Sequence, residues 1–115
     1  MTLDGEQNIL RFLGLAARAG KAVSGAGACE ETLRSGDARL LIVAKDITRN
    51  SMDKMLDAAK AGDKKTGNAV TCFSFSEQDK LGMALGKSSR AAVVITDEGF
   101  ARKLEEMLDN YKEDI

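Results

Sequence analysis

Apolar positions in this chain recur in two rhythms, and the two alternate. Ile9, Phe12, Leu13 and Ala16 follow the i, i+3, i+4, i+7 spacing of one helix face and predict a helix over 4–19, closed by Gly20. Ala22 and Val23 fit a very short strand. Ser24-Gly25-Ala26-Gly27 is a turn opening a helix over about 26–35, which Gly36 ends. Leu40-Leu41-Ile42-Val43-Ala44 is a continuous apolar run, the pattern of a strand covered on both faces. Thr48 to Asn50 opens a third helix over about 50–61, with Met52, Met55, Leu56 and Ala59 on one face and Gly62 at its end. The polar run 63–68 reads as a loop, and Ala69 to Phe73 as a strand. Ser76 is the expected N-cap of a short helix carrying Leu81 and Leu85, with Glu77 and Asp79 in its first turn. Ala91-Ala92-Val93-Val94-Ile95 is a second buried strand. Asp97 caps a last helix with the stripe Phe100, Leu104, Leu108 and Tyr111.

This α-β-α-β-α-β-α-β-α order predicts an α/β fold: a three-layer α/β/α sandwich around a small four-stranded mixed sheet, with residues 1–115 forming a single domain. Leu41, Val43, Val93, Ile95, Phe100 and Leu104 are its expected core.

Composition narrows the class. Aromatics are 4% and Trp is absent, so the core is aliphatic. There is no Pro, where average usage would give roughly six, which excludes Pro-rich linkers and recognition tails. No apolar run reaches the ~18 residues of a membrane span, and the start MTLDGEQNIL lacks the basic and apolar regions of a signal peptide. Cys29 and Cys72 stand 43 positions apart without a CxxC pair, which fits two small buried hydrophobes rather than a disulfide framework or a zinc site. Cytoplasmic location is the expectation.

A net charge of −1 is weak evidence against nucleic acid, but the charge is uneven. Residues 105–115 hold five acids (Glu105, Glu106, Asp109, Glu113, Asp114) and one base, Lys112. Setting these aside from 18 acids and 17 bases leaves 13 against 16, so the body is net +3 ahead of an acidic tail, read as a solvated helix end.

The chain has no His, so the commonest general base and metal ligand is missing and no Ser/His or Cys/His pair can form. Glu30 and Glu31 are adjacent and point about 100° apart on a helix, so they do not share a site. Residues 24–30 resemble the start of a dinucleotide fingerprint, but Glu30 stands where its third glycine belongs. Gly86-Lys87-Ser88 resembles the end of a P-loop, but Leu81 stands where that motif's first glycine belongs. No enzyme, metal or cofactor is expected.

The 24–28 loop keeps some interest. Its glycines let a ligand approach the backbone, and the helix behind it offers unpaired N–H groups suited to phosphate. A tight strand-to-helix turn explains it equally well. Arg18, Lys21, Lys45, Arg49, Lys87 and Arg90 are basic residues near predicted loops, and Ser88 and Ser89 add hydroxyls between the last two. Such a loop contacts a nucleic-acid backbone without reading sequence. Taken singly, each cation also suits an ordinary solvated surface.

Several stretches together are familiar. Gly25, the helix after it, and Arg34-Ser35-Gly36-Asp37-Ala38-Arg39-Leu40-Leu41-Ile42-Val43-Ala44-Lys45-Asp46 resemble the kink-turn-binding ribosomal protein family of L-seven-Ae type. Leu81-Gly82-Met83-Ala84-Leu85-Gly86 is similar to that family's Leu-Gly-x-x-x-Gly. Residues 10–21 and 94–101 look like its bacterial YlxQ-like branch, so the resemblance covers about 8–108. It implies an α/β/α sandwich and a structured-RNA partner, such as ribosomal RNA or a kink-turn, with ribosome or translation factors nearby. It also places the RNA-binding signature at Gly25, Ala26, Gly27, Ala28 and Glu31, beside which the cations and serines above are the further candidate RNA contacts. The family's signature Gly-x-Asn-Glu-x-x-Lys is matched only at Gly25: Gly27, Ala28 and Glu31 occupy the Asn, Glu and Lys positions. The leading expectation is therefore a non-catalytic RNA-binding protein with weakened kink-turn specificity. The alternative is a protein-interaction module that kept the fold and lost RNA, to which Glu31 and the net negative charge point.

Overall fold

The computed structural model describes residues 2–113, with side chains over 5–111. Five helices, α1 (Thr2–Arg18), α2 (Ala26–Ser35), α3 (Arg49–Thr66), α4 (Gln78–Ala84) and α5 (Glu98–Glu113), alternate with strands β1 (Ala22–Ser24), β2 (Leu40–Val43), β3 (Thr71–Ser74) and β4 (Ala92–Ile95). The sheet order is β1-β4-β2-β3. β4 runs antiparallel to both β1 and β2, and β2 pairs parallel with β3, so the sheet is mixed as expected.

The two continuous apolar runs became the two central strands, and every residue of both is buried. Alternate side chains serve opposite layers. Leu40, Ile42, Val93 and Ile95 meet Ile9, Leu13, Leu81, Leu104 and Leu108 from α1, α4 and α5. Leu41, Val43 and Val94 meet Cys29, Leu33, Met55 and Ala58 from α2 and α3. The core expectation holds for Leu41, Val43, Val93, Ile95 and Leu104.

Elsewhere tertiary packing overrode the local reading. Phe100 is only half-buried, its ring 5.2 Å from that of Phe12 at the margin of the core. Leu56 lies beside the buried stripe of α3, not in it, and is 38% exposed. β3 begins at Thr71, not Ala69, because register aligns Thr71 with Leu40. As an edge strand it turns only Phe73 inward, and Cys72 is exposed, not buried. Gly62 does not end α3. A Cβ there would overlap the carbonyl oxygen of Leu33, so the glycine admits the end of α2, and the helix runs through most of the expected loop to Gly67. Ser76 is not the cap of α4. Its φ of 60° departs from the extended cap conformation, and its Oγ donates to Glu6 on α1 at 2.7 Å. Asp46 Oδ1 instead accepts from Gln78 N at 3.0 Å. Asp97 does cap α5, accepting from Phe100 N at 2.9 Å. The acidic tail's Lys112, Glu113 and Asp114 side chains lie outside the described residues; Glu106 and Asp109 are exposed on α5, and Glu105 is half-buried.

Candidate functional site

Sheet register gathers most of the candidates at one end. Ser24 pairs opposite Val93 and Val43 opposite Ala92, so β1 and β2 both finish where β4 starts. Gly25 N donates to Ala92 O, Ala44 N to Ala91 O and Lys45 N to Ser76 O, tying the 25, 44–45, 76 and 91–92 backbones into one rim. Strands lie about 4.8 Å apart, which puts the β1 and β2 termini, with β4 between them, roughly 10 Å apart. The starts of α2, α3 and α4 surround this rim.

Gly25 is the N-cap of α2, with φ 96° and no side-chain cap bond. A side chain at φ 96° would be strained, and glycine carries none to bond the first-turn N–H groups. Ala26, Gly27 and Ala28 are exposed, and open space surrounds the Cα of Gly27. Glu31, one turn on, is also exposed. The result is a bare helix start, cationic in partial charge, that an anion can reach.

The 86–90 loop stands next to it. Lys87 N donates to Gly82 O at 2.8 Å, and a Cβ on Gly82 would overlap the Ser88 carbonyl. The loop is folded back onto α4 through that glycine. Arg90 then braces it: Nη1 donates to Ser88 O, Ser88 Oγ and Ser89 O at 3.2, 2.9 and 3.1 Å, while Nε reaches Ser24 Oγ at 3.3 Å. Arg90 thus joins the loop to the residue preceding Gly25. It is half-buried and organises the site, where the sequence had suggested an exposed cation.

Lys45, Arg49 and Lys87 are exposed at this end. Arg49 is the first residue of α3, whose start Thr48 caps by accepting from Ser51 N. Arg18, in the last turn of α1, faces a groove shared with Ser24 and Lys87. Lys21 stands apart. Its carbonyl accepts from Thr96 N beyond the far end of β4, so three-residue β1 carries the chain from one end of the sheet to the other between Lys21 and Gly25. Sequence reading missed Ser24, whose hydroxyl anchors Arg90, and Arg11, which faces the same groove as Arg18. The signal for Arg11 was its place seven residues before Arg18, on the same helix face.

Nothing in this arrangement activates a nucleophile. Cys29 lies within the α2–sheet layer, its Sγ donating to Val23 O, and burial pushes its thiol up to about 12 against the opposing pull of a backbone hydrogen bond. Among the described residues no group of three His, Cys, Asp or Glu side chains is placed to hold a metal ion, and no helix is long and apolar enough to cross a membrane. What the rim offers is backbone N–H groups, hydroxyls and ammonium and guanidinium groups, a chemistry of anion contact.

Three comparisons bear on this. The model of the ribosomal protein L7Ae/L30e/S12e/Gadd45 family matches residues 7–105. The RNA-binding protein YlxQ of Bacillus subtilis (strain 168) is 36% identical over 98 residues, 85% of this chain and 92% of that protein. The RNA-binding protein YlxQ of Enterococcus faecium is 29% identical over 109 residues, 95% and 99% of the two chains. Among solved structures, a protein of unknown function from Bacillus halodurans superposes with a TM-score of 0.76 at 29% identity, covering 88% of this chain and 96% of that one. A 15.5 kD RNA-binding protein of Giardia lamblia superposes with a TM-score of 0.65 at 17% identity, over 97% and 91% of the two chains, a likeness of fold. Both named relatives are called RNA-binding proteins.

Proposed function

Since the chain belongs to the ribosomal protein L7Ae/L30e/S12e/Gadd45 family, we propose that it binds structured RNA, without catalysis, at the sheet end where α2 begins. The observation that carries this reading is the uncapped start of α2 standing beside the Arg90-braced 86–90 loop, with Lys45, Arg49 and Lys87 exposed around them. Backbone N–H groups and cations contact phosphates, which fixes position on an RNA but reads no sequence. The YlxQ relatives, named as RNA-binding proteins, support the assignment.

Base reading is the weak part. Gly27 and Ala28 project no hydrogen-bonding side chain, and Glu31 presents a carboxylate where a phosphate-supporting cation would help. Kink-turn specificity is therefore weakened, and recognition runs through shape and backbone, as in much RNA binding. Ribosomal RNA, or another folded RNA of the translation apparatus, is the partner class this suits.

Mobility-shift titrations at several salt concentrations test the reading, with a kink-turn RNA compared against a plain duplex. Binding should weaken steeply with salt and discriminate little between the two. The triple variant Gly27→Asn, Ala28→Glu, Glu31→Lys should then gain a preference for the kink-turn. No binding of either RNA at low salt would refute RNA binding. Strong discrimination by the natural chain would refute the argument from Gly27, Ala28 and Glu31.

A further inference from the structure

α1 carries two stripes. Ile9, Leu13 and Ala16 are buried against the sheet. Gln7, Leu10, Arg11, Gly14, Ala17 and Arg18 repeat with the same helical period on a neighbouring face, and they form one wall of an open groove of about 1000 Å³. The other wall is α4 and the turn after it. The floor is apolar: Leu10, Ala17, Ala84 and Leu85 contribute to it, and Gly14 lies so close to α4 that a Cβ would stand 2.9 Å from the Ala84 carbonyl oxygen. Met83 stands at the groove 79% exposed, the most exposed large hydrophobic side chain among the described residues.

The rim is mainly cationic. Arg11, Arg18, Lys80 and Lys87 line it, with Asp79 the one acid among the described lining residues. Lys80 is 3.8 Å from Glu6, while among the described residues no carboxylate pairs with Arg11, Arg18 or Lys87. An apolar floor between cationic edges is complementary to one kind of surface: an apolar stripe flanked by acids. The α1 wall extends from position 7 to 18, which at 1.5 Å per residue is about 16 Å, or three turns of a facing helix.

From this complementarity we propose that the α1–α4 groove docks an acidic amphipathic helix of a protein partner. The helix lays Leu- or Ile-type anchors at i, i+3, i+4 and i+7 on the floor and its Glu or Asp flanks against Arg11 and Arg18. Met83, unbranched and polarisable, adapts to the anchors. Nucleic acid fits the groove less well, because no aromatic ring lines it for base stacking and an apolar floor gives a phosphate backbone nothing. Arg18, Ser24, Gly86 and Lys87 are common to this groove and the RNA surface, whereas Leu10, Lys80 and Met83 line the groove alone.

The test uses the full chain and three 15-residue fluorescent peptides: a Leu-striped helix with Glu flanks, the same stripe with Lys flanks, and a scramble of the first. Anisotropy titration should give micromolar binding for the Glu-flanked peptide and at least tenfold weaker binding for the others. The methyl signal of Met83 should shift on adding it. Arg11→Glu and Met83→Asp, both surface changes, should each weaken the peptide at least fivefold with the thermal midpoint unchanged, and Met83→Asp should also leave RNA affinity unchanged. Equal binding of the scramble, or no binding of the Glu-flanked peptide, overturns the proposal. So does a Met83 shift caused by RNA and not by peptide, which would assign the groove to RNA.

Discussion

Gly82 and Gly27 both lie in helices, yet adding one methyl group at each should have opposite effects. In a helix interior Ala is favoured over Gly by up to about 1 kcal/mol, so each change carries that gain. At Gly27 nothing lies within 4 Å of the new Cβ, and the position is exposed. Gly27→Ala should therefore stabilise the protein by a few tenths up to about 1 kcal/mol. At Gly82 the Cβ would overlap the Ser88 carbonyl oxygen, stand 2.6 Å from that carbonyl carbon and 3.0 Å from Ser89 Cα. These are backbone atoms that no rotamer change can move. They are also held, because Lys87 N bonds Gly82 O and Arg90 bonds the Ser88 and Ser89 carbonyls. Overpacking of this kind costs about 1–3 kcal/mol, and against a rigid neighbour the upper part of that range applies. Subtracting the helix gain leaves a net loss of about 1–2 kcal/mol. Urea unfolding should show this as a lower midpoint with an unchanged slope. Thermal unfolding should show a fall of several degrees, since about 1 kcal/mol moves the midpoint by 4–8 °C in a domain slightly smaller than this one. The displaced loop should also weaken RNA binding for every RNA tested. If Gly82→Ala is as stable as the natural chain, the close approach of 86–90 to α4 is not what requires glycine there, and the account of the loop fails.

Three further outcomes follow from the packing and the site. Leu41→Ala, at a fully buried position of the central strand, should cost about 2–5 kcal/mol by denaturant titration; a loss well under 1 kcal/mol would mean that the strand is wrongly placed. Lys87→Ala should leave stability unchanged within ~0.5 kcal/mol and flatten the salt dependence of RNA binding by about one unit, whereas Arg90→Ala and Arg90→Lys should both lower stability, because the guanidinium's bonds to Ser24, Ser88 and Ser89 need its fork; an Arg90→Lys chain of natural stability would make Arg90 a simple cation. The Cys29 thiol ionises near 9.0 in the unfolded chain and near about 12 when buried, so stability present in full below pH 9 should fall between pH 9 and 12 by up to about 1.4 kcal/mol per pH unit. Cys29→Ala should lack that component, and in the native protein a thiol reagent at pH 8 should modify exposed Cys72 alone.

The elements that could be read from the sequence were those whose pattern answers to one neighbour on each face. Leu40–Val43 and Ala92–Ile95 are apolar throughout because helices cover both sides, and that pattern is local. The edge strand was misplaced by two residues because Ala69 and Val70 look like strand residues, while the register that decides the matter belongs to β2. Gly62 and Ser76 were misread for the same reason: each answers to a distant partner, Leu33 and Glu6, and not to its own helix end. At the site, the glycine-based start of α2 was legible because a cap is a local device. The role of Arg90 was not, since it depends on a loop folded back by Gly82. Lys21 was counted with the site's cations because it stands near a predicted loop, but that loop lies at the opposite end of β1 from Gly25.

The helix starts themselves supply the strongest physical argument for an anion at the α2 end. An α-helix leaves its first N–H groups without partners, and proteins satisfy them with side chains, water or ligands. Thr48 Oγ1 serves α3, Asp46 serves α4 from a separate loop, and Asp97 serves α5. Of the four helices that begin among the side-chain-described residues, α2 is the one whose start receives no side chain. Two of the other three caps are carboxylates, so the chain answers the positive end of a helix with negative charge where it closes that end itself. At α2 it instead places a glycine with no side chain, exposed Ala26, Gly27 and Ala28, and a loop carrying Lys87 alongside. On the proposed function, a negative group from outside the chain would complete that end in the way Asp46 and Asp97 complete theirs. An RNA phosphate supplies such a group at every nucleotide, which is why binding through this helix start should depend on the path of the RNA backbone more than on its bases.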